Sequence, residues 1–581
     1  MRKTSLTVCL ILGLCACGSA PKATVVTGVR LDRNELNLVP GQIVQLQATV
    51  EPADAKDKTI TWKTDDKNVA TVREGTVTAV AEGTTLLTVR TYSGGFTDRC
   101  TITVTDPDKP DPEPPTPADT PAPTAFGALP TSGQVAWQRQ ELVMFYHFGP
   151  ATFSGHDGET ADYTAAELIS HYKPTALDCD QWVRTAADNG FKEVILTAKH
   201  HDGFSLWDNP ESTCDVAACA EPYNKDVLKG VSDACAKYNV NFGIYLSPWD
   251  KLVGGASAYE DKYIKAINSL ARGQYGKLTE FWLDGNHAGN LDFGHVNAAI
   301  REKNPDVVIF SNVGPGCRWV GNEEGNAGET NWSTYSPAEH GASQSSLPGD
   351  YWTYLWSGDK GGEAWIPAEC DFSIQAIGDG NGWFWGQDDH RKSAKDLMDI
   401  YYKSVGRNSV FLMNVPPSRE GIIDAREVEI LQAFKQMRDQ VFGTNLAAGA
   451  TASATNVRGK DEAKFGPARM LEEDYDAYFA TDDAVRSVDL TFTLPEARTF
   501  NRVQLQEYIP LGQRVERFGI QVRRNGQWTD WGTGDMTTIG HKRILLGPSV
   551  TTDAVRIRIK EARACPVLNG FALYNDTVSG L

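Results

Sequence analysis

Phe281-Trp282-Leu283-Asp284-Gly285 closes an apolar run that begins at Leu278. An apolar run broken by an acidic residue and a glycine reads as a buried strand that delivers one carboxylate to its end. Taken alone, Asp-Gly at such a place is an ordinary turn, the carboxylate accepting from nearby backbone N–H groups. The stretch gains weight from its surroundings, because other strand-like runs also end in His, Asp, Tyr or Trp. Those runs are Glu141 to Phe148, Phe191 to Thr197, Asn241 to Leu246, Val307 to Phe310 and Val410 to Val415. Amphipathic stretches such as Asp180 to Asn189, Lys225 to Tyr238 and Tyr259 to Arg272 lie between them. Alternating β and α patterns across residues 131–443 predict a TIM-like (β/α) barrel, for which about 250 residues is typical.

Active sites of that fold gather at the C-terminal ends of the strands. Here those ends read Tyr146-His147-Phe148-Gly149, Ala198-Lys199-His200-His201-Asp202-Gly203, Tyr245-Leu246-Ser247-Pro248-Trp249 and Trp282-Leu283-Asp284-Gly285. Imidazoles and a carboxylate converging on one barrel mouth suit a divalent metal site. They equally suit polyol binding, where His, Tyr and Trp fix hydroxyls and carboxylates do acid/base work. The first strand lacks the His-x-His that many metal-dependent hydrolases carry, which favours sugar chemistry without a cofactor.

On both sides the texture changes. Residues 23–105 alternate apolar and polar in short runs such as Ile43 to Val50 and Thr101 to Val104, the pattern of a small β-sandwich. Val29-Arg30-Leu31-Asp32, Ile60-Thr61-Trp62-Lys63-Thr64 and Val77-Thr78-Ala79-Val80-Ala81-Glu82-Gly83 make this segment resemble the bacterial Ig-like domains of group 2. Residues 106–130, rich in Pro, Asp and Thr, read as a semi-rigid linker. Residues 444–581 return to strands, with Val488 to Phe492, Val503 to Glu507, Gly519 to Arg523 and Val555 to Ile559 as candidates. Asn445-Leu446-Ala447, Gln527-Trp528 and the closing Val555 to Ile559 with Gly570-Phe571 resemble a discoidin-like (coagulation factor 5/8 type C) β-sandwich. Many such modules bind sugars through their loops, and the sequence leaves that open.

The chain has 581 residues and a formal charge of 56 − 75 = −19, which argues against a nucleic-acid partner. Its 15 Trp and 19 Tyr supply aromatic faces that can stack on sugars. Met1-Arg2-Lys3 followed by the short apolar stretch Leu6 to Leu14 reads as a secretory signal. Leu14-Cys15-Ala16-Cys17 then resembles a bacterial lipobox, which implies a signal peptide 1–17, lipid on Cys17 and a place in the cell envelope. No later segment has the length and apolarity of a membrane span, so the expected membrane contact is through the lipid anchor. Of 11 cysteines, eight lie beyond Cys17; Cys214 and Cys219 are close enough to pair, though spacing does not establish it. No CxxC pair or Cys/His cluster marks a zinc site.

The strand-end motifs, in this order, resemble the α-L-fucosidases of glycoside hydrolase family 29. They are His147-Phe148-Gly149-Pro150, Thr197-Ala198-Lys199-His200-His201-Asp202-Gly203-Phe204, Tyr245-Leu246-Ser247-Pro248-Trp249 and Trp282-Leu283-Asp284-Gly285. Three later segments resemble the subgroup acting on α-1,3 and α-1,4 branch fucose. They are Gly314-Pro315-Gly316-Cys317-Arg318-Trp319-Val320-Gly321-Asn322-Glu323, Pro367-Ala368-Glu369-Cys370-Asp371 with Gly382-Trp383-Phe384-Trp385, and Ser404-Val405-Gly406-Arg407-Asn408.

The resemblance implies a retaining glycosidase acting on fucosylated oligosaccharides or glycoconjugates, its two catalytic carboxyls about 5 to 5.5 Å apart. Asp284 would be the nucleophile and Glu323 the acid/base, with Glu324 and Glu329 as near rivals. His147, His200, His201 and Tyr245 would contact fucose hydroxyls, Trp282 belongs to the same sugar site, and Trp383 would wall the apolar methyl side. One departure stands out: relatives place a Glu-Trp-Gly after the first strand, whereas this chain reads Ser154-Gly155-His156-Asp157-Gly158-Glu159-Thr160. Glu159 can stand in the acidic place, but the tryptophan has no counterpart. Two other readings compete, a non-catalytic fucosylated-glycan-binding lipoprotein and a metal-dependent hydrolase.

Overall fold

The computed structural model describes residues 25–105, 120–154, 160, 162–253, 259–284, 291–341, 351–375, 382–387, 390–532 and 534–581. Cys17, the signal peptide, Gly285 and Glu159 lie outside the described residues. The chain forms two compact units, 1–114 and 115–581.

In the first unit a four-stranded sheet runs Glu35–Leu38, Thr97–Val104, Gly83–Thr91, Ile60–Thr64, and a three-stranded one runs Ile43–Gln45, Thr76–Ala79, Ala70–Arg73. The alternating pattern places Leu87, Val89, Cys100, Ile102 and Val77 in a fully buried core, as the Ig-like reading requires.

The second unit holds a closed barrel of eight parallel strands in chain order. They are Leu142–Tyr146, Glu193–Lys199, Asn241–Leu246, Leu278–Trp282, Val308–Ser311, Cys317–Trp319, Ala368–Ser373 and Ser409–Asn414. Six match the apolar runs read from the sequence. The other two were hidden because Cys317–Trp319 spans three residues with a central arginine, and Ala368–Ser373 carries two carboxylates.

Successive side chains along a strand point to opposite faces. Met144, Tyr146, Val194, Leu196, Ile244 and Phe281 therefore pack outward under the helices, while Val143, Phe145, Ile195, Tyr245, Trp282, Phe310 and Leu412 fill the interior. Three glutamates share that interior. Trp137 Nε1 donates to Glu280 Oε2 at 2.6 Å, Trp282 Nε1 donates to Glu369 Oε2 at 2.8 Å, and Gln140 caps Glu193. Burial pushes all three carboxyls up, Glu369 to about 8 and Glu193 to about 7.

The C-terminal body is built on two 20-residue strands, Val488–Glu507 and Arg543–Ala562, paired antiparallel. Register shifts between Thr493 and Arg498 and between Phe500 and Arg502 let them bend. Its joint with the barrel is continuous: Ile544, Ala572 and Tyr574 belong to the barrel's apolar cluster. Arg502 and Asp576 form a buried ion pair at 3.0 Å, and Tyr402 donates to the same carboxylate at 2.7 Å.

Residues 120–130, read from composition as linker, are docked along this body. Proline-rich chain offers carbonyls that no sheet uses, and three basic side chains take them. Arg458 Nε donates to Pro121 O at 2.6 Å, Lys464 Nζ to Thr120 O at 2.7 Å and Arg514 Nη2 to Thr124 O at 2.7 Å. The rest of the linker segment, 106–119, lies outside the described residues. Cys214 and Cys219 are both unpaired, their thiols facing the carbonyls of Ala165 and Ile169.

Candidate active site

Counting by two from each interior position leads out of the barrel core to its mouth. Phe145 is followed by His147, Trp282 by Asp284, Phe310 by Asn312, Glu369 by Asp371 and Leu412 by Asn414. The first four of these mouth residues, with His200, His201, Tyr245, Trp282, Trp319, Glu323 and Trp383, line one cavity of about 250 Å³. All eight catalytic and sugar-contact positions read from the sequence thus meet in one place. Asn312, Trp319 and Asp371 were missed as site residues, although the period of two along the run ending at Phe310 already points to Asn312.

His147 takes its orientation from the last strand. Its Nδ1 meets Asn414 Oδ1 at 2.9 Å, and Asn414 Nδ2 donates to the carbonyls of Gly382 and Trp383 at 3.2 and 2.8 Å. Those donations fix which end of the amide is oxygen, so His147 Nδ1 carries the proton and Nε2 is left as an acceptor. Burial lowers the His147 pKa to about 4 and holds that of His200 well below the usual value, so both rings are neutral. His200 stacks on Tyr245 at 5.4 Å and 13°, and Phe384 stands edge-on to both imidazoles.

Asp284 Oδ2 accepts from the Tyr245 hydroxyl at 3.0 Å and lies 3.4 Å from His201 Nε2. The His201 ring is set from behind. Ser247 Oγ accepts from Trp249 N at 3.0 Å and meets His201 Nδ1 at 2.6 Å, and because the Asp284 carboxylate facing Nε2 can only accept, Nε2 is the ring's donor toward it. Enclosure by the protein presses the Asp284 pKa upward, yet the His201 and Tyr245 hydrogen bonds outweigh it and leave the carboxyl below its ordinary value. Trp282 presents only its ring to the cavity, stacked on Phe310 at 3.7 Å, since its N–H is turned down to Glu369.

Glu323 lines the same cavity, and Trp383 Nε1 donates to its Oε2 at 3.4 Å. Partial desolvation presses its pKa up against a smaller pull from the Trp383 hydrogen bond, and the charge of Asp284 adds to the rise. Its two rivals lie elsewhere. Glu324 accepts from Asn326 Nδ2, and the Glu329 side chain is 78% exposed beside Arg407. On the same wall as Glu323, Asp371 Oδ1 accepts from Trp319 Nε1 at 2.8 Å, and burial holds its pKa far above the usual range.

The donor set also answers the metal reading. His200, His201 and Asp284 offer ligand atoms within 4.8 Å of one another. Asp284 Oδ2 already receives Tyr245 and faces His201 Nε2, so the pair is organised around hydrogen bonds rather than around a cation. Neutral imidazoles, an anchored carboxylate and a carboxyl of raised pKa beside aromatic faces can bind a polyhydroxylated ring and do acid/base work on it.

Comparison with known proteins agrees with this geometry. The family model described as alpha-L-fucosidase matches residues 134–437, the bacterial Ig-like domain (group 2) matches 25–102, and the F5/8 type C domain matches 449–571. Alpha-L-fucosidase 1 of Arabidopsis thaliana is 36% identical over 79% of this chain and 90% of its own length. A Bacteroides thetaiotaomicron crystal structure described as an alpha-L-fucosidase is 35% identical, with TM-score 0.72 over 79% of this chain and 100% of that one. A Ruminococcus gnavus GH29 fucosidase in complex with fucose is 27% identical, with TM-score 0.71 over 79% and 97% of the two chains.

Proposed function

We propose, from the premise that this chain belongs to the α-L-fucosidase family of glycoside hydrolases, that Asp284 and Glu323 perform its retaining reaction on α-1,3- or α-1,4-linked branch fucose. The family activity makes the protein a glycosidase acting on fucosylated glycans. The assignment of the two carboxyls rests on their opposite environments in one cavity, hydrogen bonds from His201 and Tyr245 lowering the Asp284 pKa and partial desolvation raising that of Glu323. In the first step Asp284 attacks the anomeric carbon while Glu323 gives its proton to the departing glycosidic oxygen. In the second, Glu323 takes a proton from water, which displaces Asp284 from the sugar. His147 Nε2 accepts from a fucose hydroxyl, His200 and His201 line the same polar side, and Trp282 and Trp383 face the apolar side of the ring.

The linkage preference draws support from the aromatic rim beside Glu323. Trp319 meets Trp352 edge-on at 5.9 Å, and Trp352 is 49% exposed. A sugar next to the fucose can stack there, and binding energy from such a remote unit raises turnover when it is expressed in the transition state. Initial rates on a Lewis a or Lewis x trisaccharide are expected to exceed those on 2′-fucosyllactose by a factor on the order of 10 or more. Equal or reversed rates overturn the branch assignment.

Export as an envelope lipoprotein is part of the same proposal and rests on the lipobox at Cys17. Cys17→Ser is expected to move the protein from the membrane fraction to a soluble or unprocessed form, read by fractionation. A variant that stays with the membrane refutes the anchor.

A further inference from the structure

Glu323 sits on a loop whose two ends are tied together. Arg318 and Asn331 are both fully buried. Arg318 donates through Nε to Leu355 O at 3.0 Å, through Nη1 to Ile366 O, and through Nη2 to Asn331 Oδ1 at 2.7 Å. The intervening segment therefore closes as a compact loop on a side-chain clasp. Asn331 is held within the barrel, its Nδ2 donating to Arg407 O at 2.8 Å and its carbonyl accepting from Asn408 Nδ2 at 3.0 Å, and also from outside it. Its N–H donates to Thr538 Oγ1 at 3.0 Å, and its carbonyl accepts from Gln513 Nε2 at 3.2 Å. Gln513 also accepts from Ser333 N at 2.7 Å, and Arg543 Nη1 donates to Glu329 O at 2.7 Å.

Thr538, Gln513 and Arg543 all belong to the C-terminal body, and Thr538 is at φ 47, a backbone state that a β-branched residue avoids. Strain of that kind persists where the surrounding contacts demand it. The contact at hand is the hydrogen bond to Asn331, which neither a glycine nor an unstrained extended residue at this place would supply.

We propose that the C-terminal body is a positioning element of the catalytic machinery, its Thr538 and Gln513 locking the Arg318–Asn331 clasp so that Glu323 stays over the departing oxygen. The inference rests on the reading of Glu323 as acid/base. A loosened clasp leaves Asp284 and the fucose contacts in place and impairs proton delivery, which the alkaline limb of the pH profile reports apart from any loss of stacking at the Trp319–Trp352 rim. The loss then falls on substrates whose leaving group needs a proton.

The test uses the full chain with Thr538→Val, which keeps the side-chain shape and removes the acceptor, and Gln513→Glu, which keeps the acceptor for Ser333 and removes the donor to Asn331. Each is assayed on a fucosyl oligosaccharide and on a nitrophenyl-type fucoside, with Glu323→Gln alongside. The expected result is a fall of about tenfold in kcat on the oligosaccharide, with the aryl fucoside within about twofold and the alkaline limb of the pH profile displaced. Equal losses on both substrates, or no loss in either folded variant, overturn the positioning role. Absence of the leaving-group signature in Glu323→Gln itself overturns the acid/base reading instead. Thermal unfolding confirms that each variant is folded, and Gln513→Glu decides the matter if Thr538→Val is not.

Discussion

Asp284→Ala is expected to reduce kcat by a factor on the order of 10³ or more while the protein stays folded. The carboxylate sits in the cavity where His201 and Tyr245 converge, and its two anchors lower its pKa. Without it no glycosyl–enzyme ester forms, and water must attack unaided. Azide can enter the space the side chain leaves, attack the anomeric carbon directly and release the aglycone. On an activated aryl fucoside it is expected to restore turnover and to yield a fucosyl azide of inverted, β configuration, identified by NMR. Near-normal activity in the variant, or rescue that yields the α-azide, removes Asp284 from the nucleophile's role.

Glu323→Gln is expected to slow release of fucose from an oligosaccharide by about 10²- to 10⁴-fold, and to affect fucosylation of the enzyme by an activated aryl fucoside far less. A poor leaving group departs only if its oxygen is protonated, whereas a nitrophenolate leaves without help. The pH dependence carries a second signature. Activity requires Asp284 ionised, with its pKa lowered, and Glu323 protonated, with its pKa raised, so the profile falls on the acid side as Asp284 gains a proton and on the alkaline side as Glu323 loses one. Glu323→Gln is expected to erase the alkaline limb on the activated substrate and leave the acid limb in place. If Glu324→Gln or Glu329→Gln erases it instead, the acid/base lies at that residue.

The two carboxylates differ in how they could be found. Asp284 closes an apolar strand two residues beyond the inward Trp282, so period-two counting alone points it at the barrel mouth. Glu323 follows a three-residue strand, Cys317–Trp319, that no hydrophobic pattern reveals, and only the likeness of its motif drew attention to it. Asp371 was passed over because its strand, Ala368–Ser373, carries two carboxylates where apolar residues were expected. Those carboxylates face inward, Glu369 paired with the Trp282 indole and Asp371 with the Trp319 indole. A buried acid that finds a donor on another strand does not look buried in one dimension.

What the sequence by itself determined is the local alphabet: apolar runs of strand length, the helices between them, the alternating sandwich pattern at each end, and the strand-end residues His147, His200, His201, Tyr245 and Asp284. These follow from side-chain periodicity and backbone preference, which act over a few residues. Tertiary structure alone decided that Glu323 rather than Glu324 or Glu329 faces the cavity, that His147 offers Nε2 because Asn414 holds Nδ1, that residues 120–130 are docked rather than free, and that Asn331 is gripped by Thr538 and Gln513 across |i−j| of 207 and 182. Hydrogen bonds and desolvation between residues so far apart depend on distances of a few ångströms, and linear order does not carry those distances.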